Sequence, residues 1–141
     1  MEMMIDIKLD EGAKMPTKAH NTDAGFDLYT PHEVTVKAGG SATVFTGVHM
    51  IIPNGWCGLL VSKSGLNTKK DIQTTGLVDA HYTGQIFVKV QNHGSEDYHF
   101  NAGDKVTQIM LLPVPDTVTL NVIENLPCTE RGSNGFGSSG R

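Results

Sequence analysis

The sequence predicts one all-β domain of the sandwich, jelly-roll or barrel kind, and three observations predict it. Short apolar runs alternate with polar residues at the period of a strand, and Gly, Pro and Asn turns recur roughly every 8–12 residues. Nowhere do apolar residues hold a helical period for three turns. A chain of 141 residues can bury roughly 68–70% of the surface its unfolded form exposes, so it needs neither metal nor disulfide to hold a core.

The elements follow from the amino end. Met3, Ile5, Ile7 and Leu9 alternate with charged residues, as in a strand with one wet face. Residues 11–22 are an irregular lead-in to Asp23-Ala24-Gly25-Phe26-Asp27-Leu28, where the small pair Ala24-Gly25 lets the chain pass closely beside something. Val34 and Val36 mark a short strand. Ala42, Val44, Thr46, Val48, Met50 and Ile52 share one face of a long strand, which Pro53-Asn54-Gly55 turns. Trp56 to Val61 is nearly continuous in apolar residues, predicting a strand buried on both faces. At its end stand Ser62-Lys63-Ser64-Gly65-Leu66, read either as ligand contacts or as a loop capping a short helical turn at 65–70. Tyr98 and Phe100, then Val106 to Leu112, and then the alternating Val118, Leu120 and Val122 supply the later strands, making about nine or ten in all.

Between these lies Gly76-Leu77-Val78-Asp79-Ala80-His81-Tyr82-Thr83-Gly84-Gln85-Ile86. It sets an acid and an aromatic three residues apart on a tight turn, between strand-like arms. A planar base held against bare main chain suits this pattern, with Asp79 polarising a water and Tyr82 lying against a sugar. An ordinary hairpin whose Asp caps its own turn fits it too. From Cys128 the composition changes, and residues 131–141 read as a mobile glycine-rich arm on a body of residues 1–130. Phe136 between Arg131 and Arg141 suggests a lid that stacks and clamps on an anionic ligand.

Net charge −4, with no run of Lys or Arg, argues against nucleic-acid binding. No apolar run approaches the ~20 residues of a membrane span. Cys57 and Cys128 share no metal spacing, and the start MEMMIDIK lacks the apolar run of a signal peptide. The chain therefore reads as intracellular, cytoplasmic, with reduced thiols.

Five stretches, in order and at natural spacings, resemble the homotrimeric dUTP diphosphatases (dUTPases). They are Ala24-Gly25-Phe26-Asp27-Leu28, Ser64-Gly65-Leu66, residues 76–84, Gly103-Asp104-Lys105-Val106-Thr107-Gln108-Ile109, and residues 131–140. The resemblance implies a jelly-roll subunit, a homotrimer with active sites shared between subunits, and a flexible C-terminal arm that covers a site, on its own subunit or a neighbour. It implies hydrolysis of dUTP to dUMP and pyrophosphate with Mg²⁺ on the substrate phosphates and no metal held directly by the protein. That activity limits uracil incorporation into DNA and supplies dUMP for thymidylate synthesis.

By the same resemblance Asp79 activates the water, and Gln108 helps hold that water and a phosphate oxygen. Lys63, Ser64, Gly65, Arg131, Gly137, Ser138 and Ser139 surround the phosphates, Gly76 and Tyr82 receive the nucleoside, and Phe136 stacks over uracil. Asp27 is a supporting acid, either for metal-bound waters or for the local fold. The chain departs from the family at Lys63, where arginine is usual; lysine keeps the charge but loses bidentate geometry, leaving a weaker phosphate contact or a side chain in solvent. Gln85 replaces a frequent glutamate and is a candidate for a subunit contact, and His81 reads as a solvated turn residue. Two other readings stay open: a nucleotide-sensing module with a regulatory protein partner and secondary hydrolysis, and a dCTP deaminase.

Overall fold

The computed structural model describes residues 2–140. Nine strands and one short helix follow in order: β1 (Asp6–Leu9), β2 (Phe26–Tyr29), β3 (Val34–Val36), β4 (Ser41–Ile51), β5 (Trp56–Val61), α1 (Ser64–Lys70), β6 (Ile72–Val78), β7 (Gln85–Asn92), β8 (Tyr98–Phe100) and β9 (Lys105–Pro113). Alternation fixes which face each strand buries. In β4 the side chains of Val44, Thr46, Val48 and Met50 are buried, and in β7 those of Ile86, Val88 and Val90.

The large sheet has the order β1-β4-β7-β6-β5-β9-β2, and β3 pairs with β8 in a second, two-stranded sheet. Every pairing is antiparallel. Leu28 near one edge of the large sheet, Val48 near the other, and Val36 and Phe100 of the small sheet all join one core cluster. A seven-stranded sheet brings its two ends to one core only by curling, which makes the body a jelly roll. Two register shifts help it bend, between Phe45 and His49 in β4 and between Leu28 and Tyr29 in β2. The polar side chains inside are paired: Thr46 donates to the Ile86 carbonyl at 2.6 Å, and Asn92 donates to the carbonyls of Val36 and Glu96 at 3.0 and 2.8 Å. Among the described residues no buried side-chain nitrogen or oxygen lacks a partner.

Two expectations change and one holds. The strand from Trp56 to Val61 forms, but only Gly58 and Leu60 are fully buried, because the outer face of the curled sheet is uncovered within one chain. The helical reading after it holds, with the helix starting at Ser64 itself and ending at a left-handed Asp71. The alternation at Val118, Leu120 and Val122 makes no strand. The last backbone bond to the body runs from Val114 N to Gly55 O at 2.8 Å, and beyond it Leu120, Val122 and Leu126 are 91, 98 and 85% exposed. A strand exists only where its edge finds a partner, and this segment finds none in its own chain.

Candidate active site

The hairpin of β6 and β7 is zipped only at its base. Its ladder runs from Ile72↔Asn92 to Thr75↔Lys89 and stops, while β6 stays paired to β5 and β7 to β4 on their other sides. Gly76–Val78 and Ile86–Val88 are thus left without pairing to each other, and a cavity of about 490 Å³ opens there. Gly76, Leu77, Val78, Ile86 and Val88 line it together with Tyr82. Main-chain groups released from a ladder retain their hydrogen-bonding demand, so this slot suits a flat, polar-edged ligand.

Glycine is required at two points of this frame. A Cβ on Gly76 would lie 2.9 Å from Leu60 Cδ1, so its missing side chain makes room for the core, and it borders the cavity with backbone alone. A Cβ on Gly84 would lie 2.2 Å from the Tyr82 hydroxyl; the ring folds across that glycine and donates to the Gln85 carbonyl at 2.9 Å. Asp79 follows β6 directly and is exposed, with its carbonyl accepting from Tyr82 N at 3.3 Å. His81 is exposed, as a solvated turn residue should be, in a left-handed conformation (φ 63°) with its Nε2 2.8 Å from Asn54 Oδ1. Gln85 accepts from Gly47 N through Oε1 at 3.0 Å.

A second group gathers where β5, β9 and β2 lie side by side. Val61 stands opposite Gln108, and Gln108 opposite Asp27. Asp27 is 5% exposed and is gripped by two ammonium groups, Lys63 on Oδ1 and Lys105 on Oδ2 at 3.1 Å. Burial alone would raise the Asp27 carboxyl, but the bonds and charges of Lys63 and Lys105 outweigh it and hold it below the usual carboxylate value. The same contact raises Lys105. Lys63 is therefore neither in open solvent nor free; its charge is shared with a buried acid. Lys63 and Lys105 both face the one Asp27 carboxylate, and the charge of Asp23 also acts on Lys105. Lys105, a site residue that sequence reasoning does not single out, stands inside the stretch 103–109 that carries the resemblance.

Gln108 donates from Nε2 to the Ser62 carbonyl at 3.0 Å. A Cβ on Gly25 would lie 3.1 Å from its Oε1, so the close approach expected at Ala24-Gly25 is to this side chain. Ser64 and Gly65 open α1 and are exposed.

The two groups do not meet within one chain. Val78 is opposite Gly58 while Gln108 is opposite Val61, so Val78 and Gln108 are separated by roughly 10 Å along the strands and two strand spacings, roughly 10 Å, across them, and Asp79 lies one residue farther still from Gln108. The arm forms a third group. Arg131, Ser138 and Ser139 line a shallow cup with Thr129, Glu130 and Asn134, and Phe136 is fully exposed. Its hydrogen bonds among the described residues are its own, such as Arg131 Nε to Asn134 O at 3.0 Å. Gly137 has φ +80°, a turn conformation suited to glycine. Arg141 lies outside the described residues.

Among the described residues no three of His, Cys, Asp and Glu gather to ligate a metal. A hard cation that keeps several waters and rides on phosphate oxygens needs no such cage. Both Asp27 oxygens are engaged by lysines, which favours its role in the local fold over the support of metal waters. No helix among the described residues is long and apolar enough to cross a membrane.

The dUTPase family model matches residues 11–140. The chain is 38% identical over 130 residues to the deoxyuridine 5'-triphosphate nucleotidohydrolase of Kluyveromyces lactis, covering 92% of this chain and 88% of the relative. The dUTPase of Staphylococcus bacteriophage 80alpha, solved with dUPNHPP in work on the control of virulence-gene transfer, superposes with a TM-score of 0.89 at 28% identity, covering 98% of this chain and 99% of that one. A variant of the dUTPase of S. aureus phage phi11, solved to show the coordination of a structural Mg(II) ion, superposes with a TM-score of 0.82 at 27% identity, covering 89% of this chain and 100% of that one.

Proposed function

The chain belongs to the dUTPase family, and from that premise we propose how a dUTP diphosphatase built on this body works. The split in the β6–β7 hairpin carries the reading, because it offers unpaired main chain around a cavity of about 490 Å³ with Tyr82 on its wall and Asp79 at its tip. Uracil enters the split and pairs through its O4, N3–H and O2 with the freed backbone groups. Cytosine would set donor against donor there, a mismatch worth roughly 10⁴–10⁵ in selectivity. Tyr82 packs on the deoxyribose and leaves no space for a 2′-hydroxyl, a steric criterion worth only about 10².

Asp79 takes the proton of a water as its oxygen bonds to the α-phosphorus. The bond from that phosphorus to the bridging oxygen breaks, and pyrophosphate leaves with the electron pair. Gln108 holds the water and a phosphate oxygen, and its anchor on the Ser62 carbonyl fixes its orientation. Ser64 and Gly65 donate on the leaving side, and Lys63 contributes charge from its seat on Asp27. Mg²⁺ on the phosphates, when bound, neutralises and spans their charge. Arg131 meets the γ-phosphate, Gly137, Ser138 and Ser139 wrap the chain of phosphates, and Phe136 stacks on the base.

These groups lie apart in one chain, so the working site is assembled from several copies in a homotrimer. The free apolar segment from Val118 to Leu126 and the exposed Phe45–Phe87 pair, 5.5 Å between ring centroids, are surfaces such an assembly would cover. The test is pyrophosphate release from dUTP, UTP, dCTP and dTTP with Mg²⁺. Release from dUTP alone supports the reading, and ammonia release from dCTP overturns it in favour of a deaminase. Tight dUTP binding without turnover would favour the nucleotide-sensing reading.

A further inference from the structure

The split hairpin needs its loop held in place, and the loop is held at two shoulders. At one, His81 N donates to the Ile52 carbonyl at 3.0 Å and its ring meets Asn54. At the other stands His49 of β4, just past the register shift. Its Nδ1 is 2.9 Å from the Thr83 carbonyl, and its Nε2 is 3.0 Å from each Asp10 oxygen. Asp10 is itself fixed, with its N donating to Gly47 O at 2.8 Å.

Both oxygen partners of this imidazole are acceptors without a proton to give. A neutral ring carries one N–H and satisfies one of them; only the imidazolium satisfies both. We propose that His49 is a positioning residue, tying Asp10 to the Thr83 carbonyl and so holding Tyr82 against the cavity wall while both ring nitrogens are protonated. The Thr83 carbonyl first and the Asp10 carboxylate second raise the imidazole above its ordinary value, against partial burial and against Lys8, which stands opposite His49 on β1. Gln85, opposite on β7, is uncharged. As pH rises through that raised value one proton leaves. The remaining N–H stays with the stronger acceptor, the carboxylate, and the Thr83 end lets go. Tyr82 then keeps only its own bond to Gln85 O and the turn to Asp79.

This inference rests on the proposed use of Tyr82 against the nucleoside, and its test separates the two. KM and kcat for dUTP are measured from about pH 6 to about pH 9 for the natural chain, His49→Ala and Asp10→Asn. The natural chain should lose about five- to tenfold in KM toward high pH with a smaller change in kcat, the weight of one hydrogen bond. His49→Ala should show the high KM throughout. Asp10→Asn should stay near the low KM at every pH, because its amide can donate to Nε2 while a neutral ring donates to Thr83. Identical KM profiles in the natural chain and Asp10→Asn would overturn the proposal, and this comparison stands even if His49→Ala fails to assemble. Imidazole NMR titration paired with hydrogen exchange of residues 79–85 reads the link without turnover. Exchange that quickens as His49 loses its proton supports the link even if dUTP is not hydrolysed, and exchange indifferent to that proton overturns it.

Discussion

The two halves of the site solve opposite problems. Around Gly76 and Tyr82 backbone is left unpaired: a ladder stops at Thr75↔Lys89, and the released groups border the cavity proposed to receive the base. Around Asp27 the charges are spent on one another, Lys63 and Lys105 on a single buried carboxylate. A neutral base is read by fixed directional groups, whereas a triphosphate needs alignment and moderated charge. In the proposed mechanism an acidic chain, net −4, handles a polyanion through a local cluster of lysines and a glycine-rich arm rather than through a basic surface.

The sharpest break in the hairpin half is Asp79→Asn. Its carboxyl is exposed, so the fold should be untouched, while kcat falls by about 10²–10⁴, as for loss of a general base. Ending the chain before Arg131 should cost about 10² in kcat/KM, with thermal unfolding of the body unchanged because among the described residues the arm makes no hydrogen bond to it. In the charged half, Asp27→Asn leaves two facing ammoniums without their anion. We expect about 2 kcal/mol of lost stability in denaturant unfolding, less than for a fully buried pair because the ammoniums reach water. The pH dependence follows the sign of the shift. A carboxyl held low in the native state gives stability that is full above its unfolded value and disappears as pH falls through its native value. Acid should therefore lower the Tm of the natural chain more than that of Asp27→Asn. Smallest is Gly25→Ala, whose Cβ would press on Gln108 Oε1 and Ile109 O at 3.1 Å; kcat should fall about threefold to tenfold with little change in KM for dUTP.

Much of this was legible in the sequence because it is local. Alternation located β1 and β4, and Gly76 to Gly84 announced a turn bearing an acid and an aromatic. The closeness implied by Ala24-Gly25 proved real. What stayed hidden depends on partners far along the chain. Asp27 meets Lys63 and Lys105, and His49 meets Asp10 and Thr83, only after the sheet has curled. Val118, Leu120 and Val122 carry the period of a strand, but periodicity names a face and not a neighbour, and this chain alone offers none. Gly76 borders the cavity, and its missing side chain also makes room for Leu60, a neighbour that only the paired sheet supplies.

The most direct test of a site shared between copies is complementation. Asp79→Asn chains and chains ending at Glu130, each expected to retain at most about a hundredth of the activity alone, are co-expressed and isolated as mixed assemblies. Recovered dUTP hydrolysis, well above that of either variant, is the expected result, since an intact arm from one copy then closes over an intact Asp79 of another. Mixed assemblies no more active than the separate variants would mean that each chain completes its own site, contradicting the account.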